Sequence, residues 1–100
     1  MNQARLLAQA RKLQQEMAKA QEELAETEVT GSAGGGAVTV TVTCDQRVKR
    51  VHIAKESFDP EDLEMLEDVV LSAVNDALTK AADVSQRRMG SIAGMQLPGL

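Results

Sequence analysis

Residues 34–43 read GGGAVTVTVT, and the hydrophobic period of the chain changes at these glycines from about 3.5 residues to about 2. Valine and threonine alternate strictly after the glycines, so an extended chain would place the valines on one face and the threonines on the other. β-Branched side chains also favour strands. The glycine run is therefore interpreted as the boundary between a helix and a sheet, forming the joint between a helical arm and a sheet body.

The segment before the glycines predicts one long helix from residue 2 to about residue 28. It is rich in good helix formers and contains no Gly or Pro. At 1.5 Å per residue this helix is roughly 40 Å long, whereas a compact 100-residue domain has a radius of gyration of about 13 Å. The helix must project from the body or lie along another long element. Its apolar residues recur at alternating steps of four and three: Leu6, Ala10, Leu13, Met17, Ala20 and Leu24.

Three short segments predict strands, at residues 29–33, 37–43 and 47–54. In the third segment, Val48 falls on the opposite face from Val51 and Ile53. Either Val48 faces solvent or this strand carries a β-bulge.

A second long helix is predicted from Asp59, as N-cap, and Pro60, as the first helical residue. Its apolar face continues at helical spacing to about residue 89, and Gly90 is expected to end it. Residues 1–89 are then a single domain, and residues 90–100 are a flexible C-terminal tail.

These elements predict an α+β fold with a long N-terminal helix, a three-stranded antiparallel meander and a long C-terminal helix. The helices can cover one face of the sheet. The other face and the edge strands are open to a second subunit, because an exposed edge invites pairing.

Composition narrows the classes of function. The 100 residues carry a net charge of −4, and they include one Phe but no Trp or Tyr. This disfavours modules that stack single-stranded nucleic-acid bases on aromatic side chains. No segment approaches the 18 consecutive apolar residues of a membrane span, and no signal-peptide pattern is present. The expected location is the cytoplasm, with no membrane partner.

Catalytic and metal-binding residues are not evident. His52 is the only histidine and is expected on the surface of a strand, and with Cys44 it offers fewer ligands than a zinc site needs. Residues 31–36 are glycine-rich, but they lack the Gly-Lys-Ser/Thr ending of a phosphate loop and open onto a strand. The sequence predicts no enzyme, cofactor, metal or small-molecule substrate.

A row of cations on the first helix suggests phosphate contacts. Arg5, Lys12 and Lys19 are seven residues apart and form a line about 21 Å long, with Arg11 beside it. We call these four residues the basic stripe. The alternative is an ordinary salt-bridged face, because Lys12 and Lys19 can each reach Glu16. The residues alone leave both interpretations open.

Five sequence blocks are spread over the whole chain: residues 17–24 (MAKAQEEL), 29–36 (VTGSAGGG), 59–68 (DPEDLEMLED), 73–78 (AVNDAL) and 94–99 (GMQLPG). Together and in this order they resemble the YbaB/EbfC family of bacterial nucleoid-associated proteins. The resemblance implies an α+β homodimer joined through the sheet region, with projecting helical arms. It also implies binding of double-stranded DNA in the nucleoid with limited sequence preference, and no enzymatic activity or cofactor.

The DNA-binding surface implied by the resemblance lies broadly on the helical arms. It is carried over to Arg5, Arg11, Lys12 and Lys19, with Arg87 and Arg88 as weaker candidates. The individual contacts follow from charge placement. The alternative from another class is a protein-interaction or assembly module whose link to DNA is indirect.

Overall fold

The computed structural model describes residues 2–96, with side chains described as far as Gly94. The three strands form one antiparallel sheet in the order β1-β2-β3. The expected α+β fold, with a long helix on each side of a three-stranded meander, is confirmed. The elements are α1 (Gln3–Glu26), β1 (Glu28–Ala33), β2 (Val38–Thr43), β3 (Arg47–Ile53), a short 3-10 helix (Lys55–Ser57) and α2 (Leu63–Gln96).

The C-terminus of α1 is tied directly to the sheet. The Cys44 N–H, just after β2, donates to the carbonyl of Leu24 at 3.1 Å and to that of Thr27 at 2.9 Å. The Thr27 hydroxyl donates to the Glu23 carbonyl at 2.6 Å. These bonds satisfy carbonyl groups that the end of a helix leaves without partners. The joint between helix and sheet is therefore at Thr27.

The glycine run forms the turn between β1 and β2, so its interpretation as the joint between arm and body is wrong. Gly34, Gly35 and Gly36 have φ angles of +66°, +67° and +93°, in a region that glycine adopts at no steric cost. The Ala37 N–H closes the turn on the Gly34 carbonyl at 3.3 Å. β1 lies before the glycines and pairs along its whole length with β2.

β3 contains a β-bulge, which is one of the two explanations that the sequence offered for the position of Val48. Val51 lies opposite Val40 and Val48 lies opposite Val42, so Lys49 is the extra residue. The bulge brings Val48 and Val51 to the face of the buried valines. Both remain about half exposed, because α2 packs over β1 and β2.

The core lies between α2 and the β1–β2 half of the sheet. A Cβ added at Gly31 of β1 would lie 2.2 Å from the Ala77 nitrogen and 2.8 Å from the Ala73 carbonyl oxygen. The backbones of β1 and α2 are thus in direct contact, and only a glycine fits between them. The buried core cluster contains Leu24, Val38, Val40, Val42, Cys44, Ala73, Ala77 and Ala81.

The N-terminus of α2 lies later than the sequence indicated. The Asp59 side chain accepts the Glu61 N–H at 2.9 Å, within a turn that precedes the helix. The Asp62 side chain accepts the Met65 N–H at 3.2 Å, which is the bond of an N-cap. The prediction of Asp59 as N-cap is wrong, because Pro60 lies in the preceding turn.

The C-terminus of α2 also lies later than expected. The helix continues through Gly90 and Gly94 to Gln96, so the expected stop at Gly90 is wrong. A glycine weakens a helix by only about 1 kcal/mol, and packing outweighs that cost here because Ile92 is 3% exposed. Residues 97–100 of the expected tail lie outside the described residues.

The helices give the chain an elongated shape. Its radius of gyration is 19.6 Å and its principal extents are 70 × 23 × 16 Å. A compact chain of this length would have a radius of gyration of about 13 Å. Ala20 and Leu24 are the buried residues of α1, whereas Leu6 and Leu7 are 48% and 60% exposed. The N-terminal half of α1 therefore projects as an arm.

Side chains of α2 occupy the outer edge of β1. The Ser32 N–H donates to the Asp76 carboxylate at 2.9 Å, and the Lys80 ammonium donates to the Thr30 carbonyl at 3.3 Å. Lys80 also lies 3.1 Å from Asp76. The Ser32 N–H, followed by Lys80, lowers the pKa of the Asp76 carboxyl below its usual range. This edge of the sheet is thus closed to strand pairing.

We expect Asp76→Asn to destabilise the fold at pH 7 and to have progressively less effect as the pH falls below about 4. A carboxyl with a lowered folded-state pKa contributes stability above its unfolded-state pKa, and that contribution is lost as the pH falls through the folded-state pKa. Urea unfolding midpoints of both proteins at pH 7 and pH 3 measure this difference. Asp68→Asn, at an exposed position of α2, is the control, and an equal effect of Asp76→Asn at both pH values would contradict the expectation.

Candidate nucleic-acid interface

The basic stripe lies on an exposed part of α1. Arg5, Arg11, Lys12 and Lys19 are all exposed and precede the buried Ala20. None of the four belongs to an ion pair within residues 2–96. The salt-bridged face that the sequence allowed is thus not formed, and four cations are available to an anionic ligand.

Arg87 and Arg88 are placed differently from the basic stripe. Arg87 pairs with Asp83 on α2, and Arg88 pairs with Glu23 of α1 at 3.0 Å. The Arg88 side chain is only 35% exposed, and its ion pair links the two long helices. Arg88 is therefore less available to phosphate than the cations of the stripe. The Arg87–Asp83 pair is 75% and 54% exposed, so it contributes little free energy and Arg87 can exchange its carboxylate partner for a phosphate.

Sequence reasoning missed a second group of cations, on β3. Arg47, Lys49 and Arg50 are all exposed, and Arg50 forms an ion pair with Glu28 of β1 at 2.9 Å. We call these three residues the β3 basic face. The available signal was the segment RVKR at residues 47–50, with three bases and no acid among four residues.

An apolar groove of about 470 Å³ lies between Ile53, the last residue of β3, and the N-terminal third of α2. Leu71 is 60% exposed, and Val48 and Val51, on the same face of β3 as Ile53, are 48% and 47% exposed. Glu67 also lines the groove. Five apolar residues define what we call the apolar groove: Ile53, Leu66, Val70, Leu71 and Val74.

Cys44 and His52, the two residues considered for metal binding, lie in different environments. Cys44 is 1% exposed, and burial, followed by the charge of Asp45, raises the pKa of its thiol. His52 is exposed on β3, as expected. Among residues 2–96, no three His, Cys, Asp or Glu side chains converge closely enough to hold a metal ion. Within the same range, no helix has the length and apolarity required to cross a membrane.

Comparison with known proteins connects this arrangement to a family. The sequence model of the YbaB/EbfC DNA-binding family matches residues 1–96. The chain belongs to this family. The resemblance found in the sequence blocks is thereby confirmed, and the family is one of nucleoid-associated, DNA-binding proteins.

Curated relatives of this YbaB/EbfC chain are named nucleoid-associated proteins. One from Pelotomaculum thermopropionicum is 43% identical over 100 residues, covering 99% of this chain and 95% of its own length. One from Chloroflexus aurantiacus is 46% identical, with 94% of each chain covered. One from Bacillus thuringiensis is 52% identical over 85 residues, covering 84% of this chain and 78% of its own length.

A solved structure shares the YbaB/EbfC fold seen here. The crystal structure of an uncharacterized Helicobacter pylori protein superposes with a TM-score of 0.83 and 21% sequence identity. The match covers 94% of this chain and 99% of the other. At this identity, the likeness concerns the fold.

Proposed function

We propose that this YbaB/EbfC chain is a cytoplasmic, homodimeric nucleoid protein that binds double-stranded DNA mainly through phosphate contacts, with limited sequence preference. It acts without a cofactor and not as an enzyme. One observation carries the proposal: on a projecting helix of a DNA-binding family member, the basic stripe presents four exposed cations that form no ion pair with the described part of the chain. Contacts of this kind position a protein on DNA without reading its sequence.

The spacing of the stripe suits a polyanion. Successive members of the Arg5, Lys12 and Lys19 row are about 10 Å apart along the helix, and phosphates of one DNA strand recur about every 3.4 Å along the duplex axis. Each cation can therefore contact a different phosphate. The arginine side chains add bidentate hydrogen bonding to phosphate oxygens.

The charge distribution orients the approach to DNA. The net charge of −4 disfavours binding by the body as a whole. Residues 59–83 carry eight acids and one base, whereas residues 1–20 carry four bases and one acid. DNA is thus attracted to the arm and repelled by most of α2.

A salt titration tests phosphate binding directly. If two copies neutralise about six to eight phosphates, log affinity falls against log salt with a slope of about −5 to −7. Mobility-shift titrations of a short duplex at several salt concentrations give this slope. An affinity that does not change with salt, or no complex at low salt, would exclude a phosphate-based interface.

Dimerisation is proposed through the β3 side of the sheet. The edge of β1 is occupied by Asp76 and Lys80 of α2. At β3, by contrast, the apolar groove is open, and Val48 and Val51 are half exposed on the same face of the strand as Ile53 of the groove. A second copy seated there buries this surface and brings a second basic stripe to the same duplex.

Leu71→Lys is expected to convert the dimer to a monomer, because it places a charge in the lining of the apolar groove. Even with the Glu67 carboxylate one turn away, burying an ammonium in an apolar interface costs several kcal/mol, because both charges lose their hydration. Sedimentation equilibrium at micromolar concentrations measures the change. Met65→Lys is the matched control, since Met65 is 56% exposed on the same helix but does not line the groove. A Leu71→Lys protein that remains dimeric would place the interface elsewhere.

An assembly module remains the second candidate because α1 also exposes apolar side chains. Leu6, Leu7 and Met17 are 44% to 60% exposed and can pack against a partner helix. In that case the protein partner, and not the basic stripe, would connect the chain to DNA. Removing the charges of the stripe separates the two candidates.

A further inference from the structure

We infer that the β3 basic face is a second phosphate-binding surface for duplex DNA, distinct from the basic stripe on α1. The inference rests on the proposed function for the nature of the ligand. It places a DNA contact on the sheet, whereas the sequence and the resemblance indicated DNA contacts on the helices only.

The β-bulge creates this face. In a regular strand, Arg47 and Arg50 would point to opposite sides of the sheet, because they are an odd number of residues apart. The extra residue at Lys49 changes this: Arg47 lies opposite Thr43, and Arg50 lies opposite Thr41. Directly opposed residues share a face, so both guanidinium groups lie on the outer face of the sheet.

The cations of the β3 basic face are available to a ligand. Arg47 and Lys49 belong to no ion pair in the part of the chain that is described. Arg50 pairs with Glu28, but the two side chains are 63% and 42% exposed. An ion pair this exposed contributes little free energy, so Arg50 can exchange its carboxylate partner for a phosphate.

The surroundings of the β3 basic face are polar and include few acids. Asp45, in the turn before β3, accepts the Thr43 hydroxyl. Thr30 and Thr41 form a hydroxyl pair at 3.5 Å beside Arg50. Threonine hydroxyls and arginine guanidinium groups are common phosphate ligands in protein–DNA interfaces. Arg47 and Arg50 therefore lie on a polar face of the sheet, and Lys49, the exposed extra residue of the bulge, lies between them within about 10 Å of strand.

The β3 basic face and the apolar groove use opposite faces of the same strand. Val48, Val51 and Ile53 lie opposite the buried valines of β2, on the side of α2. The outer face carries Arg47 and Arg50. A second copy seated in the apolar groove leaves the basic face open, so a dimer presents two such faces on its body.

A double variant, Arg47→Gln with Lys49→Gln, tests the inference by duplex titration against salt. We expect the slope to become less steep by about 0.9 for each phosphate that is no longer neutralised, and the affinity near 0.1 M salt to fall by roughly tenfold per cation. Lys49→Arg, which keeps the charge, is expected to bind like the unmodified protein. Arg50 is left in place so that its ion pair with Glu28 is unchanged.

Lys55→Gln is the matched control for Lys49→Gln, because Lys55 is an exposed lysine of the body outside both basic surfaces. Equal binding by these two single variants, with an unchanged slope in the double variant, would overturn the inference. Loss of binding on neutralising the stripe alone would then leave the proposed function intact. Absence of duplex binding by the unmodified protein would overturn both. If a protein without the basic stripe still binds DNA in a salt-dependent manner, and combining it with Arg47→Gln and Lys49→Gln abolishes that binding, the second surface is supported.

Discussion

Gly31→Ala is expected to destabilise the fold by roughly 3 kcal/mol or more, which is a large part of the 5–15 kcal/mol that holds a typical domain together. A Cβ at this position would lie 2.2 Å from the nitrogen and 2.6 Å from the Cα of Ala77. These are backbone atoms of α2, so no side-chain rotation relieves the clash. The helix must move away from β1 and open the core around Ala73 and Ala77.

Urea unfolding followed by circular dichroism measures this effect, and two other glycines provide matched controls. Gly35→Ala meets no atom within 4 Å but has a φ of +67°, so we expect it to cost about 1–2 kcal/mol through backbone strain alone. Gly90→Ala lies in open space within α2, so we expect it to stabilise the fold by about 1 kcal/mol. A Gly31→Ala protein that unfolds like Gly35→Ala would mean that α2 does not approach β1 this closely.

Replacing all four residues of the basic stripe by Ala is expected to weaken duplex binding at least about a thousandfold at low salt and to reduce the salt slope strongly. Each copy of the chain then lacks four cations that contact phosphate, and a dimer lacks eight. Alanine is a good helix former, so α1 is expected to remain folded. Mobility-shift titration gives the affinity, and sedimentation of the same protein shows whether the dimer persists.

The control for this variant is a set of four alanine replacements on the same helix that leave the charge unchanged. It uses four exposed glutamines of α1, namely Gln9, Gln14, Gln15 and Gln21. Direct DNA binding requires a large loss of affinity in the stripe variant and little change in the glutamine variant. Equal affinity of the two variants would favour the assembly module, in which a protein partner supplies the link to DNA.

Much of the secondary structure was readable from local patterns. The absence of Gly and Pro and the heptad spacing predicted α1, and the alternation of Val and Thr predicted β2. The ends of α2 were misplaced, because Asp59 and Asp62 both precede helix-forming residues and because packing around Ile92 outweighs the propensity of Gly90. Local preferences differ by about 1 kcal/mol, and tertiary contacts exceed that difference.

The candidate interface was readable only in part. The spacing of Arg5, Lys12 and Lys19 was enough to place them on one face of a helix. Whether they were paired depended on distant residues. Glu23 lies within reach of Lys19 along α1 but pairs instead with Arg88 of α2. The pairing of a charge is decided by the packing of two helices and not by spacing along one of them.

Local patterns were enough to specify the order of helices and strands, the charged arm and the family, because periodicity and residue type act within a few residues of chain. Tertiary structure alone decided three features: the contact of Gly31 with Ala77, the bulge that turns Arg47 and Arg50 to one face, and the closing of the β1 edge by α2. Each depends on how separate backbone segments are placed against one another. Such placement follows from the packing of the whole core, which no local pattern specifies.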